Sequence, residues 1–154
     1  MKIENRIKEL KLELVQLTAP QGVYVPAVQY GDLITTSGQL PFRDQRIMFP
    51  GRVGKEVTIE NSQRAARAAA MNCLAAIKSI CKDLDRIRRI IRVNGFVCSA
   101  LSFNQQPSVL NAASELLIDI FGKEIGQHTR CAIGSFELPL GSSVEIDMTV
   151  QVDS

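Results

Sequence analysis

Near the end of the sequence, an arginine and a glutamate stand on two runs that both have the pattern of β-strands. Arg130 lies in HTRCAIGSF and Glu145 in SSVEIDMTV, and the step Leu-Pro-Leu-Gly at 138–141 separates them. A turn of this composition predicts that the two strands fold back on each other. An arginine can then grip a carboxylate through two parallel hydrogen bonds while a glutamate acts as general base. The alternative is a surface ion pair, which usually contributes only about 0–1 kcal/mol.

The last run has the clearest alternation in the sequence. Its apolar residues all point one way: Val144, Ile146, Met148, Val150 and Val152. If the helices cover this apolar side, Glu145 lies on the opposite, uncovered face of the sheet. On the preceding run Arg130 and Ala132 share a face, which we expect to be that of Glu145. Cys131 should then point toward the helices.

Other groups with reactive side chains give weaker signals. His128 is the only histidine, and it falls in a predicted loop, where an imidazole is usually just solvated; a general base is the alternative interpretation. The four cysteines form no C-x-x-C pair, and one histidine cannot complete a usual zinc set. We therefore expect no metal or cofactor, and free thiols in the reducing cytoplasm.

The composition is that of an ordinary globular domain, with 45% hydrophobic and 22% charged residues in 154. A net charge of +2 and an aromatic share of 5% argue against nucleic acid as a partner. The arginine-rich run at 83–92 is therefore interpreted as a solvated or ion-paired strand end. No apolar run reaches the roughly 18–20 residues that span a bilayer, and the N-terminus lacks a signal-peptide pattern.

The elements that position these residues follow from periodicity and turn signals. Ile3, Ile7, Leu10, Leu14 and Leu17 predict an amphipathic helix over residues 1–18, which Pro20 and Gly22 end. Two strands are predicted within 23–40, with a turn at Gly31-Asp32, and Pro26 makes the first an edge or bulged strand. Residues 41–56 are predicted as a loop.

Two longer helices and three more strands complete the predicted order. One helix begins at the Thr58 cap and another at Pro107, the latter ended by Gly122. Strands are predicted in the run IIRVNGFVCSAL and at about 129–137 and 143–152. The order predicts one α+β domain over residues 1–154, in which two helices cover one face of a mixed sheet. Its bare face suits an oligomer interface, and clefts between subunits often bind ligands.

Four segments between residues 22 and 152 occur in a specific order: GVYVPAV, TTSGQLP, VLNAASELLIDIFG and TRCAIGSFELPLGSSVEID. Together they resemble the reactive-intermediate deaminase (Rid/YjgF) family, also known as endoribonuclease L-PSP proteins. The resemblance implies a chorismate-mutase-like fold, extended here by the N-terminal helix, and a homotrimer with ligand clefts between subunits. It also implies hydrolysis of reactive 2-imino or enamine acids to 2-keto acids and ammonia, without a cofactor.

The resemblance also assigns roles to individual residues. Arg130 matches the arginine that binds the substrate carboxylate, and Glu145 matches the glutamate beside the attacking water. Ser114 and Val23 stand where the family usually has tyrosine and proline. Ala132 stands where several members have a cysteine. The substrate-binding positions are Tyr24, Ser37, Gly38, Asn111 and Ala132.

Three functional hypotheses remain open from the sequence. The first is a cofactor-independent imine or enamine deaminase. The second is a non-catalytic trimer that binds small carboxylates, because Arg130 would serve it equally well. The third, an RNA-cleaving or RNA-binding protein, lacks a basic surface, a histidine pair and aromatic platforms.

Overall fold

Two long helices pack against one face of a five-stranded sheet in the computed structural model, which describes residues 2–15, 17 and 22–153. A short helix and a small two-stranded hairpin flank this core. The helices are α1 (Lys2–Glu9), α2 (Ile59–Cys81) and α3 (Gln106–Gly126). The strands are β1 (Ala27–Tyr30), β2 (Leu33–Thr36), β3 (Phe42–Arg43), β4 (Arg46–Ile47), β5 (Ile87–Cys98), β6 (Thr129–Ser135) and β7 (Val144–Val152). The predicted α+β class with two covering helices is confirmed.

Local signals in the sequence account for the two long helices. Thr58 caps α2, and its hydroxyl accepts the Asn61 N–H at 3.1 Å. Pro107 lies in the first turn of α3, where its missing N–H costs nothing. Gly122, with φ of 78°, interrupts α3 as expected, but one further helical turn continues to Gly126.

The strand order of the large sheet is β1-β2-β7-β5-β6, so β5 lies between β6 and β7. The prediction that β6 and β7 fold back on each other is wrong. The chain runs from β5 through α3 into β6, which pairs in parallel with one side of β5. Strand β7 then pairs antiparallel with the other side of β5. Strand β1 lies at the sheet edge, as Pro26 predicted.

The apolar row of β7 forms the floor of the core, as its alternation predicted. Its five apolar residues are at most 2% exposed. In β5 the buried positions Ile87, Ile90 and Val93 are spaced by three, because two register shifts relative to β7 interrupt the alternation.

The arginine-rich end of β5 is tied to the protein rather than open to a partner. Arg88 forms an ion pair with Asp153. Arg86 donates to the carbonyls of Cys81 and Asp153, and Arg89 donates to that of Glu124 at 2.6 Å. These contacts support the interpretation of a bonded strand end.

The predicted helix over residues 1–18 is too long. Helix α1 ends at Glu9, and Lys11 adopts a positive φ of 57° that a helix does not continue through. Residues 12–15 are not helical, yet Leu12 and Leu14 pack against the core. The periodic leucines therefore signal burial correctly, but an irregular segment buries them. Pro20, the predicted stop, lies outside the described residues.

The stretch at 41–56 is not simply a loop. It contains the β3–β4 hairpin, whose turn residues Asp44 and Gln45 both have positive φ. The first of the two strands predicted within 23–40 also starts later than expected, because β1 begins at Ala27 and Tyr24 lies before the strand. Within the described ranges, none of the helices is long and apolar enough to cross a membrane.

Close packing of α3 on β5 makes a prediction about Gly95. A Cβ at this position would lie 2.3 Å from Cδ1 and 2.4 Å from Cγ of Leu110, which is fully buried. We expect Gly95→Ala to lower the free energy of unfolding by about 1–3 kcal/mol through overpacking.

Urea denaturation at fixed protein concentration measures this cost. Gly134→Ala is the matched control, because its Cβ would meet mainly the end of the Gln106 side chain, at 3.0 Å. We expect the control to remain within about 0.5 kcal/mol of wild type. Equal stability of both variants would contradict the tight contact.

Candidate functional site

Arg130 lies on the helix-covered side of the sheet. It pairs with the buried Val93 of β5, and its Nη1 donates to Asn111 Oδ1 at 3.0 Å and to Ser114 Oγ at 3.1 Å. Asn111 and Ser114 are three residues apart on α3, so they share a helix face. Ala132 packs against the core next to Gly95. The prediction that Arg130 and Ala132 lie on the uncovered face is wrong, although the two do share a face.

Cys131 is correspondingly on the uncovered face, and the prediction that it points toward the helices is also wrong. It pairs with Asn94, which in turn pairs with Asp147 of β7. The Asn94 amide donates to the Asp147 carboxylate at 2.8 Å. Alternation fixed which residues share a side, but the neighbouring strand decides which side that is.

His128 belongs to the Arg130 cluster, which the sequence did not predict. Its Nδ1 lies 2.6 Å from the Gly126 carbonyl oxygen, and its Nε2 lies 3.0 Å from Ser114 Oγ. Because the carbonyl can only accept, Nδ1 carries the hydrogen, and in the neutral ring Ser114 donates to Nε2. Its spacing of two from Arg130 on an extended chain is the sequence signal that could have placed His128 in this cluster.

Burial lowers the pKa of His128, and the charge of Arg130 lowers it further, against the Gly126 hydrogen bond, which raises it. The imidazole therefore favours its neutral form beside the guanidinium. Arg130 is left as the cation of this cluster, and Ser114 connects the two side chains.

The hydrogen bonds of Arg130 leave one side of its guanidinium available. Asn111 and Ser114 use Nη1, so Nε and Nη2 are the remaining donors. This pair has the fork geometry that matches a carboxylate in a bidentate arrangement. Within the described residues, no carboxylate forms a salt bridge with Arg130.

Glu145 forms a second cluster with Ser37 and Gly38. Backbone hydrogen bonds between Gln39 and Ile146, of 2.7 and 3.0 Å, hold residues 37–39 beside β7. A Cβ at Gly38 would lie only 1.9 Å from Glu145 Oε1, so the carboxylate needs a glycine there. Two of the predicted residues, Gly38 and Glu145, are therefore in contact, and Ser37 is the chain neighbour of Gly38.

Ser37 and Tyr24 connect through the segment before β1. The Ser37 hydroxyl donates to the Val25 carbonyl at 2.7 Å, and its N–H donates to that of Pro26 at 2.8 Å. Tyr24, which precedes Val25, is 51% exposed. Tyr24 is therefore linked to the Glu145 cluster through its chain neighbour Val25, and no contact between its ring and Glu145 is observed among the described residues.

Glu145 has the properties of a base with a higher pKa than usual. Burial raises the pKa of its carboxyl, and the nearby Asp147 charge raises it further. A raised pKa makes the carboxylate a better proton acceptor near neutral pH.

The two clusters lie on opposite faces of one sheet. Arg130 pairs with Val93 of β5, which in turn pairs with Met148 of β7. Glu145 lies three residues from Met148 along β7, an odd number, and pairs with Phe96. Side chains an odd number apart on a strand point to opposite faces. A surface ion pair between Arg130 and Glu145 within one chain is therefore excluded. No group of three or more His, Cys, Asp or Glu side chains in the described ranges could hold a metal ion.

Comparison with known proteins adds the family context. Residues 4–151 match the family model described as "YjgF/chorismate_mutase-like, putative endoribonuclease". The Trypanosoma cruzi protein TCP17 is 37% identical over 153 residues, which cover 99% of this chain and 96% of TCP17.

Two solved structures share the fold. Atu1372 from Agrobacterium tumefaciens, a protein of unknown function, is 42% identical, with a TM-score of 0.88 over 99% of this chain and 94% of its own. Escherichia coli TdcF with bound serine is 23% identical, with a TM-score of 0.61 over 88% of this chain and 91% of its own. The latter likeness concerns the fold alone.

The lowered pKa of His128 predicts how stability depends on pH. A base whose folded-state pKa lies below its unfolded value binds fewer protons when folded, so stability falls as pH drops through the unfolded value, near 6.5. We expect wild type to lose more free energy of unfolding than His128→Gln between about pH 7.5 and about pH 5.5.

Denaturant titrations at the two pH values measure the difference, and the glutamine retains hydrogen-bonding capacity. As the chain has one histidine, no second imidazole complicates the comparison. Parallel losses in the two proteins would show that the imidazole titrates alike in the folded and unfolded states.

Proposed function

Because the chain belongs to the YjgF/chorismate-mutase-like family, we propose that it hydrolyses reactive 2-imino or enamine acids to 2-keto acids and ammonia. The observation that carries the proposal is Arg130 itself, half-buried and held through one nitrogen, with a fork of N–H donors left for a carboxylate. The four free cysteines suit action in the reducing cytoplasm.

In the first step, Nε and Nη2 of Arg130 bind the substrate carboxylate in a bidentate arrangement. Asn111 and Ser114 keep the guanidinium plane fixed, so the C=N carbon of the substrate is placed reproducibly. The serine bound to TdcF is likewise a small molecule with a carboxylate.

In the second step, Glu145 takes a proton from water while the oxygen adds to the imine carbon. Because the imine is protonated when water adds, the product is a neutral carbinolamine. Glu145 then returns its proton to the nitrogen, and the C–N bond breaks as ammonia leaves. The ammonia takes the hydroxyl proton released when the keto group forms, so a 2-keto acid and ammonium remain. Water supplies the oxygen, no electrons are transferred, and no cofactor is needed. The raised pKa of Glu145 suits both directions of this proton transfer.

We propose that the complete site forms between subunits of a homotrimer. The Arg130 and Glu145 clusters of one chain face apart, so an Arg130 cluster must meet the Glu145 cluster of another copy. The uncovered sheet face also carries exposed apolar side chains: Val28, Tyr30, Leu33 and Ile133. Such a face is more typical of an interface than of a monomer surface.

The second candidate is a trimer that binds small carboxylates without turning them over. The same arginine fork favours it, because binding requires the Arg130 cluster and not the base. RNA binding has less support, since Arg86, Arg88 and Arg89 are already bonded within the chain.

The carboxylate role of Arg130 predicts a strong difference from a simple cation. We expect Arg130→Lys to lose turnover nearly as fully as Arg130→Gln, because an ammonium cannot supply two parallel N–H donors. A serine dehydratase that releases the imino acid, with a keto-acid readout, measures turnover. Wild-type rates in Arg130→Lys would contradict the bidentate site.

The intersubunit site predicts complementation between two inactive variants. We expect Arg130→Gln and Glu145→Gln to lose roughly a hundredfold or more in turnover when assayed separately. In randomly mixed trimers from equal amounts of the two, about a quarter of clefts would pair an intact Arg130 with an intact Glu145.

Co-expression or joint refolding of the two variants measures the recovered activity. The controls are each variant refolded alone and the double variant mixed with wild type at the same ratio. No recovery would contradict the shared cleft. Absence of turnover in the wild type, together with pyruvate binding that depends on Arg130, would favour the binding-only candidate.

A further inference from the structure

A cleft that contains no residue of the Arg130 or Glu145 cluster is lined by four cations. It lies between the irregular segment after α1, the β3–β4 hairpin and one face of α2, and its volume is about 210 Å³. The side chains that matter here are Lys11, Glu13, Arg43, Arg64 and Arg67. We call this concavity the N-terminal cleft.

The positive charge of the whole chain is concentrated in the N-terminal cleft. Its four cations and one glutamate give +4 − 1 = +3, whereas the full sequence has a net charge of +2. The remainder of the chain therefore sums to −1. A concave surface with this excess focuses a positive potential on whatever enters it.

In the part of the chain that the structure describes, the cations of the N-terminal cleft are not paired with acidic side chains. Arg64 and Arg67 are three residues apart on α2, a spacing at which like charges destabilise a helix by roughly 0.2–0.5 kcal/mol. An anionic ligand would relieve this repulsion.

The walls of the cleft are held in place by specific contacts. The Asn72 amide donates to the carbonyls of Leu40 at 2.8 Å and Phe42 at 3.2 Å, which fixes the approach to the hairpin against α2. The Arg64 guanidinium lies 4.9 Å from the centre of the Phe49 ring, a cation–π contact. Phe49 has a φ of 49°, a strained value for an aromatic residue.

The floor of the cleft is apolar, which restricts the kind of ligand. Met71 is 5% exposed, and Phe42, Met48 and Leu12 are half-buried around it. A volume of about 210 Å³ is below the range of roughly 300–1,000 Å³ typical of drug-sized ligands. The space therefore fits a compact molecule with an anionic end and a small apolar body.

We propose that the N-terminal cleft is a second ligand site, which binds a small phosphorylated molecule with an apolar part. The phosphate meets Arg43, Arg64 and Arg67, and the apolar part packs on Met71. This site is independent of the proposed deaminase site, since Arg130 bonds to α3 whereas the cleft lies on α2.

Binding to the full chain at physiological salt tests the proposal, by calorimetry with three probes. Phenyl phosphate carries both features, inorganic phosphate only the charge, and benzyl alcohol only the ring. We expect phenyl phosphate to bind at least tenfold more tightly than either of the others. Equal affinity for phenyl phosphate and inorganic phosphate, or no binding of phenyl phosphate at millimolar concentration, would overturn the proposal.

Matched charge variants separate the cleft from general electrostatics. Arg64→Gln/Arg67→Gln should weaken phenyl phosphate binding tenfold or more, while Lys55→Gln/Lys123→Gln removes two exposed cations elsewhere and should leave it within twofold. Equal weakening by both pairs would show nonspecific attraction, and circular dichroism checks that each variant is folded.

Two further arms identify the site and the ligand class. Arg130→Gln should retain phenyl phosphate binding even if the deaminase proposal fails, and loss of binding in this variant would place the ligand at Arg130 instead. Tighter binding of a short single-stranded RNA, weakened by the same two cleft substitutions, would replace the small molecule by nucleic acid.

Discussion

The position of β5 between β6 and β7 is the constraint on which the candidate site depends. Strand β5 spans twelve residues and pairs along its length with both neighbours. Because side chains alternate between faces, this pairing sets Arg130 under α3 and Glu145 on the bare side. A single chain can therefore present both chemical groups without allowing them to neutralise each other. The arrangement leaves each available to a second copy.

The electrostatics of the two clusters differ in a way that suits separate roles. Burial shifts the pKa of both ionisable neighbours toward the neutral form, lowering that of His128 and raising that of Glu145. Because His128 favours its neutral form, Arg130 carries the positive charge that attracts an anion to this cluster. A less acidic Glu145 is better matched to taking and returning a proton.

Much of this arrangement could be predicted from the sequence, because it depends on local pattern. The apolar row of β7 placed Glu145 on the bare face, and the Thr58 cap fixed the start of α2. Strand order could not be predicted in the same way. The Leu-Pro-Leu-Gly step has the composition of a hairpin turn, and only long-range pairing with β5 separates the two strands it joins.

The helix predicted over residues 1–18 was too long for a related physical reason. Periodic leucines report that residues are buried, but a helix and an irregular chain can bury the same side chains, and the positive φ of Lys11 decided between them. His128 was missed because its contact is with Ser114, fourteen residues earlier on α3. The spacing of two places His128 on the same side of an extended chain as Arg130, but it carries no information about the contact with Ser114.

The two sides of the sheet have different freedom to change. In the proposed trimer, any alteration of the bare face would have to suit both the interface and the Glu145 cluster, whereas the outer side of α2 lies on the opposite face of the sheet. The segment around Lys11 belongs to this outer layer, since it lines the N-terminal cleft together with one face of α2. The fold therefore separates the cationic N-terminal cleft, on its helices, from the Glu145 cluster on its bare face.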